Sequence, residues 1–345
     1  MTADPVFLDR VAARVEAVIA DGRDRYAGLD AEFDGLFTRL SALSSNRGKG
    51  VRAEAARIGW LAAGGAPGDA TPVNIGAAFE LLHLSALVHD DLIDGSSSRR
   101  GAPTVHVEAA ERHRTGDMAG NSSVFATGSA VLTGNILGAL AQSALGEVNE
   151  AAREEWTKVQ LELNLGQFLD LAAAAGKSIE WDRVHTVMRL KTATYTFARP
   201  LRMGAAAVGP ADPWLLEDLG AFGYLVGMAF QLRDDILGVF GDESVTGKPA
   251  GDDLREGKAT LLLWRSGSLS ENVDSGVYSR VGFPDLTDAE IDRMRTAMEI
   301  DGTLEWAEQQ AQGYMDKALH QLGRWTGEMR KALEELARSA VERRR

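Results

Sequence analysis

The chain has 345 residues, with 37 Lys and Arg against 50 Asp and Glu and a formal net charge of -13, so general attraction to nucleic acid or to an anionic membrane surface is not expected. It contains no cysteine, which excludes disulfides, thiolate metal sites and cysteine nucleophiles and permits a cytoplasmic location. The length suffices to bury a large core.

The first segment, "MTADPVFLDRVAARVEAVIADGRDR", carries acids and arginines at helical spacing and lacks the basic end and apolar stretch of a signal peptide. It reads as an amphipathic helix. A glycine-rich turn, "RGKGVR", follows with Lys49 and Arg52, and a break at 62–72 separates it from the next helix.

That helix, "FELLHLSALVHDDLID", places His83, Leu87, Asp90 and Asp94 on one face by their 3-4-7 spacing, with Asp91 about 100° round. Arg99 and Arg100 follow in a second break at 95–103. A stretch of 29 residues, Met118–Gly146, bears no charge, but Asn, Ser, Thr and Gln occupy nine of its positions. A buried core helix is the better reading, and no transmembrane segment is expected.

Further on, "GYLVGMAFQLRDDILGVFGD" repeats the acidic device, with Gln231 ahead of Asp234 and Asp235 on a strongly apolar helix. A long Gly-rich break at 241–258 carries Lys248 and Lys258 and suits a lid. After a further break at 265–288, "TDAE" at 287–290 fits a capping box, and Lys331–Arg345 reads as a helix ending in three arginines. Helical spacing dominates throughout, strands are hard to find, and the fold class expected is all-α.

Paired aspartates at one helix end are commonly solvated surface, but two such pairs on core-like helices call for another explanation. Carboxylates without thiolates suit hard cations, and magnesium characteristically takes one or two carboxylates together with phosphate oxygens and water. Arg99, Arg100, Lys191, Lys248, Lys49 and Arg52 would supply the matching cations for phosphate. No GxxxxGK[ST] loop and no GxSxG elbow in a strand–helix setting occurs, which disfavours a nucleotide hydrolase and a serine hydrolase.

These motifs resemble those of the trans-isoprenyl diphosphate synthases, or polyprenyl synthetases. "DDLIDGSSSRRG" with "PTVH", "GKGVR", "ELLH", "GQFLD", "KTATY", "FQLRDDILG" and "TGKPAGDDLREGKATLLL" occur in the family's order and spacing over nearly the whole chain. The resemblance implies one polyprenyl synthetase domain over 1–345, with helices around a deep central cavity in the isoprenoid synthase manner, as a homodimer. It implies a head-to-tail prenyltransferase that condenses isopentenyl diphosphate with dimethylallyl, geranyl or farnesyl diphosphate.

By the same resemblance Asp90, Asp94 and Asp234 would bind three magnesium ions, with Asp91 and Asp235 in support. Arg99, Lys191 and Lys248 would hold the allylic diphosphate, and Lys49, Arg52, His83 and Arg100 the isopentenyl diphosphate. Gln167, Asp170, Gln231 and Lys258 would line or brace the site, and the Thr192 carbonyl with Gln231 would face the allylic cation. The C-terminal arginines would help close the site. Small residues at Ser85 and Ala86, about 6 Å below the first ligand by helix rise, imply an open floor and a product longer than farnesyl, with geranylgeranyl diphosphate favoured. A farnesyl or longer-chain synthase, a class I terpene cyclase and a noncatalytic partner subunit are the alternatives. The chain departs from the family pattern at Gly238, where a third aspartate is common, at Gly50 and Ala53, where arginine and proline are frequent, and at Asn135, where aspartate is usual.

Overall fold

The computed structural model describes residues 4–176, 179–210, 212–241, 251–269, 276–283 and 285–341. Lys248 and the arginines at 343–345 lie outside the described residues. The chain divides into two compact units, residues 1–155 with 200–216, and residues 156–199 with 217–345.

In the first unit, α1 (Pro5–Tyr26) starts at the Asp4 side chain, which accepts from the backbone N–H of Val6 and Phe7 at 3.1 and 3.2 Å, with proline in the first turn. Phe7, Val11, Val15, Val18 and Ile19 recur at helical spacing and are buried, so the expected amphipathic helix is present. After α2 (Ala31–Ser45) and α3 (Val51–Ala62), α4 (Thr71–Ile93) runs through the middle of this unit against α1, α3 and α6. A two-residue antiparallel ribbon, Ser98–Arg99 with Ala102–Pro103, interrupts the all-α plan between α4 and α5 (Val105–Thr115).

The uncharged stretch forms α6 (Ser122–Leu145), capped by the Asn121 side chain, but it is not a fully buried helix. Ala130, Leu137, Ala141 and Ala144 are buried, while Val124, Val131 and Leu132 are exposed. By length and composition α4 and α6 could both cross a bilayer, yet 61% of the apolar window of α4 is buried and 33% of that of α6. The apolar face left open on α6 is therefore a surface feature.

In the second unit, α7 (Glu150–Ala174, from Trp156 onward) and α8 (Trp181–Val187) lead into an 11-residue π-helix, Met188–Ala198. This π-helix carries the "KTATY" segment and is followed by α9 (Arg199–Val208), which from Pro200 onward belongs to the first unit. Helix α10 (Pro213–Phe240) belongs to the second unit from Glu217 onward. A Cβ at Gly227 of α10 would sit 2.8 Å from the Ala193 side chain, so a glycine is what lets α10 lie against the π-helix. One core cluster joins Ala193, Met188, Met228 and Leu232 to Ala259 and Leu261, and another joins Ile236 and Val239 to Leu254, Leu262, Ile291 and Met298.

The capping box at 287–290 is present, with the Thr287 N–H donating to Glu290 at 2.9 Å and starting the helix Asp288–Ile300. The last described helix is Gly327–Val341.

Candidate active site

Helix α4 has a partly open stripe, beside which Leu84, Ala86, His89 and Leu92 are also half-buried. Glu80, His83, Leu87, Asp90 and Asp94 are half-buried, whereas Leu82, Ser85, Val88 and Asp91 are buried. The sequence therefore placed the face correctly, because carboxylates and histidine at 3-4 spacing avoid the core side. Asp94 caps the helix, its N–H donating to the Asp90 carbonyl at 2.8 Å, so both carboxylates stand at the C-terminal end.

Asp91 does a different job from its neighbours. Its carboxylate is 5% exposed and accepts from Arg99 Nε at 2.7 Å, while Arg99 Nη2 lies 3.8 Å from Asp90. The Arg99 guanidinium thus ties the ribbon back onto the acidic end of α4.

Near the middle of the same stripe, positive charge gathers. Arg100 has a left-handed backbone, φ 52°, and its guanidinium donates to the Asn46 carbonyl and lies near Gly48 of the loop that carries Lys49. Burial first, and then the charges of Arg52, Arg100 and Arg99, hold the His83 imidazole well below its usual pKa, so it is neutral at pH 7. Glu80, one turn before His83, is raised by burial against the opposing pull of Arg52 and Arg100. Its place on the His83 face was visible in "ELLH", but a carboxylate facing Arg52 and Arg100 was not expected there. Lys49 is exposed at the rim of this region.

Ser85 and Ala86 lie below the carboxylates. The Ser85 hydroxyl donates to the Gly134 carbonyl of α6 at 2.7 Å and is buried, whereas Ala86 is half-buried. Ser85 thus faces the α4–α6 seam, and Ala86 lies nearer the open stripe. His89 lies over Gly134 and approaches the Val131 carbonyl at 3.2 Å.

In the second unit, Lys191 Nζ donates to Asp170 Oδ2 at 2.7 Å, linking the π-helix to α7, on which Gln167 is half-buried. The Thr192 hydroxyl donates to Gln231 Oε1, and Gln231 Nε2 donates to Asp235 Oδ1 at 2.6 Å. The Gln231 amide is therefore fixed from both ends. Asp234 is exposed and Asp235 is 5% exposed. Burial first, then the negative charges of Asp253 and Asp234, push the Asp235 carboxyl well above the usual range, with Gln231 and Lys258 opposing. Lys258 lies 2.5 Å from Glu256 and 3.5 Å from Asp253.

Among the described residues no three or more His, Asp or Glu side chains are gathered closely enough to hold a metal by themselves. The donors present are carboxylates standing singly or in pairs beside lysine and arginine side chains, and carboxylates in ones and twos are what magnesium uses when phosphate oxygens and water complete its shell. This donor chemistry fits magnesium.

The sequence profile described as polyprenyl synthetase matches residues 36–278. The chain belongs to the polyprenyl synthetase family. It is a prenyltransferase of isoprenoid biosynthesis. A geranylfarnesyl diphosphate synthase of Aeropyrum pernix is 30% identical over 76% of this chain and 78% of its own. A geranylgeranyl diphosphate synthase of Mycobacterium tuberculosis is 37% identical over 64% of this chain and 59% of its own. A crystal structure of geranylgeranyl pyrophosphate synthase from Corynebacterium glutamicum, complexed with isoprenyl diphosphate and magnesium, superposes with a TM-score of 0.91 at 32% identity, covering 98% of this chain and 99% of that one.

Proposed function

We propose that this prenyltransferase joins isopentenyl diphosphate to an allylic diphosphate, releasing diphosphate, with linear all-trans geranylgeranyl diphosphate as its main product. The observation that carries the reading is the open stripe of α4. It presents a cation-rich anion site around His83 and a carboxylate pair, Asp90 and Asp94, on one face. Seven residues of helix separate His83 from Asp90, about 10 Å of rise, a spacing that suits two diphosphates held side by side.

Asp90, Asp94 and Asp234 would hold magnesium, whose Lewis acidity would stabilise charge growing on the departing diphosphate. Lys191 and Arg99 would add hydrogen bonds to that diphosphate, with Lys248. Lys49, Arg52, Arg100 and neutral His83 would orient isopentenyl diphosphate so that its double bond lies near the allylic carbon. The allylic carbon–oxygen bond breaks, the double bond attacks the cation, and a proton leaves for the released diphosphate. The Thr192 carbonyl of the π-helix and the Gln231 amide of α10, the latter held by the Thr192 hydroxyl and Asp235, would stabilise the cation.

The product length rests on the small side chain at Ala86. The relatives above are named for products of different length, geranylfarnesyl and geranylgeranyl diphosphate, so family membership alone leaves the length open. The catalytic domain would comprise residues 1–345, in the cytoplasm, as a homodimer whose interface includes the open apolar face of α6 around Val124, Val131 and Leu132. Purified chain incubated with magnesium, isopentenyl diphosphate and each of three primers, with products measured by mass spectrometry, tests the reading. A magnesium-dependent twenty-carbon diphosphate is expected. No consumption of isopentenyl diphosphate with any primer would overturn the synthase reading.

A further inference from the structure

We infer that Thr194 is a positioning residue: its hydroxyl, bonded five residues back along the π-helix, staples the wide turn in which Lys191 and Thr192 lie and so aims both. The inference deepens the proposed function and rests on it for the roles of those two residues. Thr194 Oγ1 donates to the Arg189 carbonyl at 3.0 Å and lies 3.4 Å from the Leu190 carbonyl. In an α-helix a threonine hydroxyl reaches the carbonyl three or four residues back. Here the shorter bond goes to the fifth, the carbonyl that a π-turn brings into line. The same spacing closes the helix, where the Arg199 N–H donates to the Thr194 carbonyl. Thr194 therefore joins the turn before it through its side chain and the turn after it through its backbone.

A π-helix of 11 residues is long for a geometry that is mostly met as a single turn, and it needs support from its surroundings. Glycines of both neighbouring helices give it room. A Cβ at Gly166 of α7 would stand 2.7 Å from the Lys191 backbone nitrogen and 3.1 Å from the Leu190 carbonyl carbon. One at Gly223 of α10 would stand 2.6 Å from Ala198 Cα, and one at Gly227 would stand 2.8 Å from the Ala193 carbonyl oxygen. These are backbone contacts, which no side-chain rotation relieves.

Room alone does not select a register, because a narrower α-turn would fit between the same glycines. The hydroxyl adds a bond that spans Arg189 to Thr194, the turn that contains both functional residues. Within that turn Lys191 Nζ reaches Asp170 of α7 at 2.7 Å, and the next residue, Thr192, reaches Gln231 of α10. Consecutive residues thus serve two different helices, Lys191 on the side of the leaving diphosphate and Thr192 on the side of the allylic cation in the proposed reaction. A turn that tightened would rotate one of them away from its partner.

The test compares the full chain with Thr194→Val, which keeps the branched shape without the hydroxyl, with Thr194→Ser, which keeps the hydroxyl, and with Lys191→Ala and Lys191→Ala/Thr194→Val. Binding of inorganic pyrophosphate in the presence of magnesium is measured by calorimetry below the melting temperature of every variant. Thr194→Val should bind pyrophosphate about fivefold more weakly, the scale of one neutral hydrogen bond, and Thr194→Ser should match the parent. In the Lys191→Ala background the valine should change the affinity little, because Thr194 acts through Lys191. With isopentenyl diphosphate and an allylic primer, Thr194→Val should lower kcat more than it raises KM for isopentenyl diphosphate, and serine should restore kcat.

A valine variant that melts earlier yet binds pyrophosphate as the parent does has lost only stability, and that result overturns the inference. A serine variant no better than valine, or losses that add across the Lys191 pair, overturns it as well. The binding measurement needs no turnover. A chain that shows the expected binding pattern yet consumes no isopentenyl diphosphate keeps the Thr194 assignment and overturns the synthase reading.

Discussion

Lys191 Nζ and Asp170 Oδ2 lie 2.7 Å apart, joining the π-helix to α7, and both side chains are mostly enclosed, 21% and 17% exposed. If Lys191 binds the leaving diphosphate and Asp170 aims it, the two should act as one unit. Lys191→Ala should lower kcat/KM about 100-fold, on the scale of losing one donor to developing negative charge. Asp170→Ala should cost less, and the double variant little more than Lys191→Ala alone. A double-mutant cycle in kcat/KM reads this coupling, and additive losses would separate the residues.

Asp90 and Asp91 are adjacent yet should fail in opposite ways. Asp91 is buried against Arg99, so Asp91→Ala takes the nearer carboxylate from a half-buried guanidinium and should destabilise the fold by about 2 kcal/mol, below the full cost of a deeply buried pair. Asp90→Asn removes a partly open carboxylate that only approaches Arg99 at 3.8 Å. It should melt with the parent and lose turnover. Thermal melts paired with activity measurements check both.

His83 gives the pH dependence a sign. Its folded pKa is held well below 6.5 by burial and by Arg52, Arg100 and Arg99. Below about pH 6.5 the unfolded chain therefore binds a proton that the folded chain refuses. Stability is fully present above the unfolded pKa and is lost as pH falls from there toward the folded pKa. The drop in melting temperature between pH 7.5 and 5.5 should be smaller in His83→Gln than in the parent. An equal drop would remove His83 from the account.

Ser85 and Ala86 are neighbours with different surroundings, so aromatic replacement should separate them. Ser85→Phe would drive a ring into the seam where Ser85 donates to Gly134, costing about 1–3 kcal/mol by overpacking. Ala86→Phe should fold and shorten the product toward fifteen carbons. Melting curves and mass spectra of the products distinguish the two, and an unchanged product from active Ala86→Phe would place the floor elsewhere.

The face carrying His83, Asp90 and Asp94 was legible because polar groups at helical spacing on an apolar segment must leave the core. The capping box at Thr287 and the amphipathic start at Phe7 were legible for similarly local reasons. The π-helix over Met188–Ala198 was not, since a register one residue wider draws on the same side chains as an α-helix. Nor was the open side of α6, because small and apolar residues surround the whole helix and its periodicity names no buried face.

Arg100 holds φ at 52°, a backbone region that glycine or asparagine enters more cheaply, at a cost of about 1 kcal/mol or more for arginine. The left-handed turn aims its guanidinium back at the 46–50 loop. Selection for thermal stability alone would thus push this position toward Gly or Asn, while selection for substrate capture would retain Arg. Residue 100 is a place where a library screened by heat and one screened by turnover should diverge, and sequences enriched from the two would report the conflict directly.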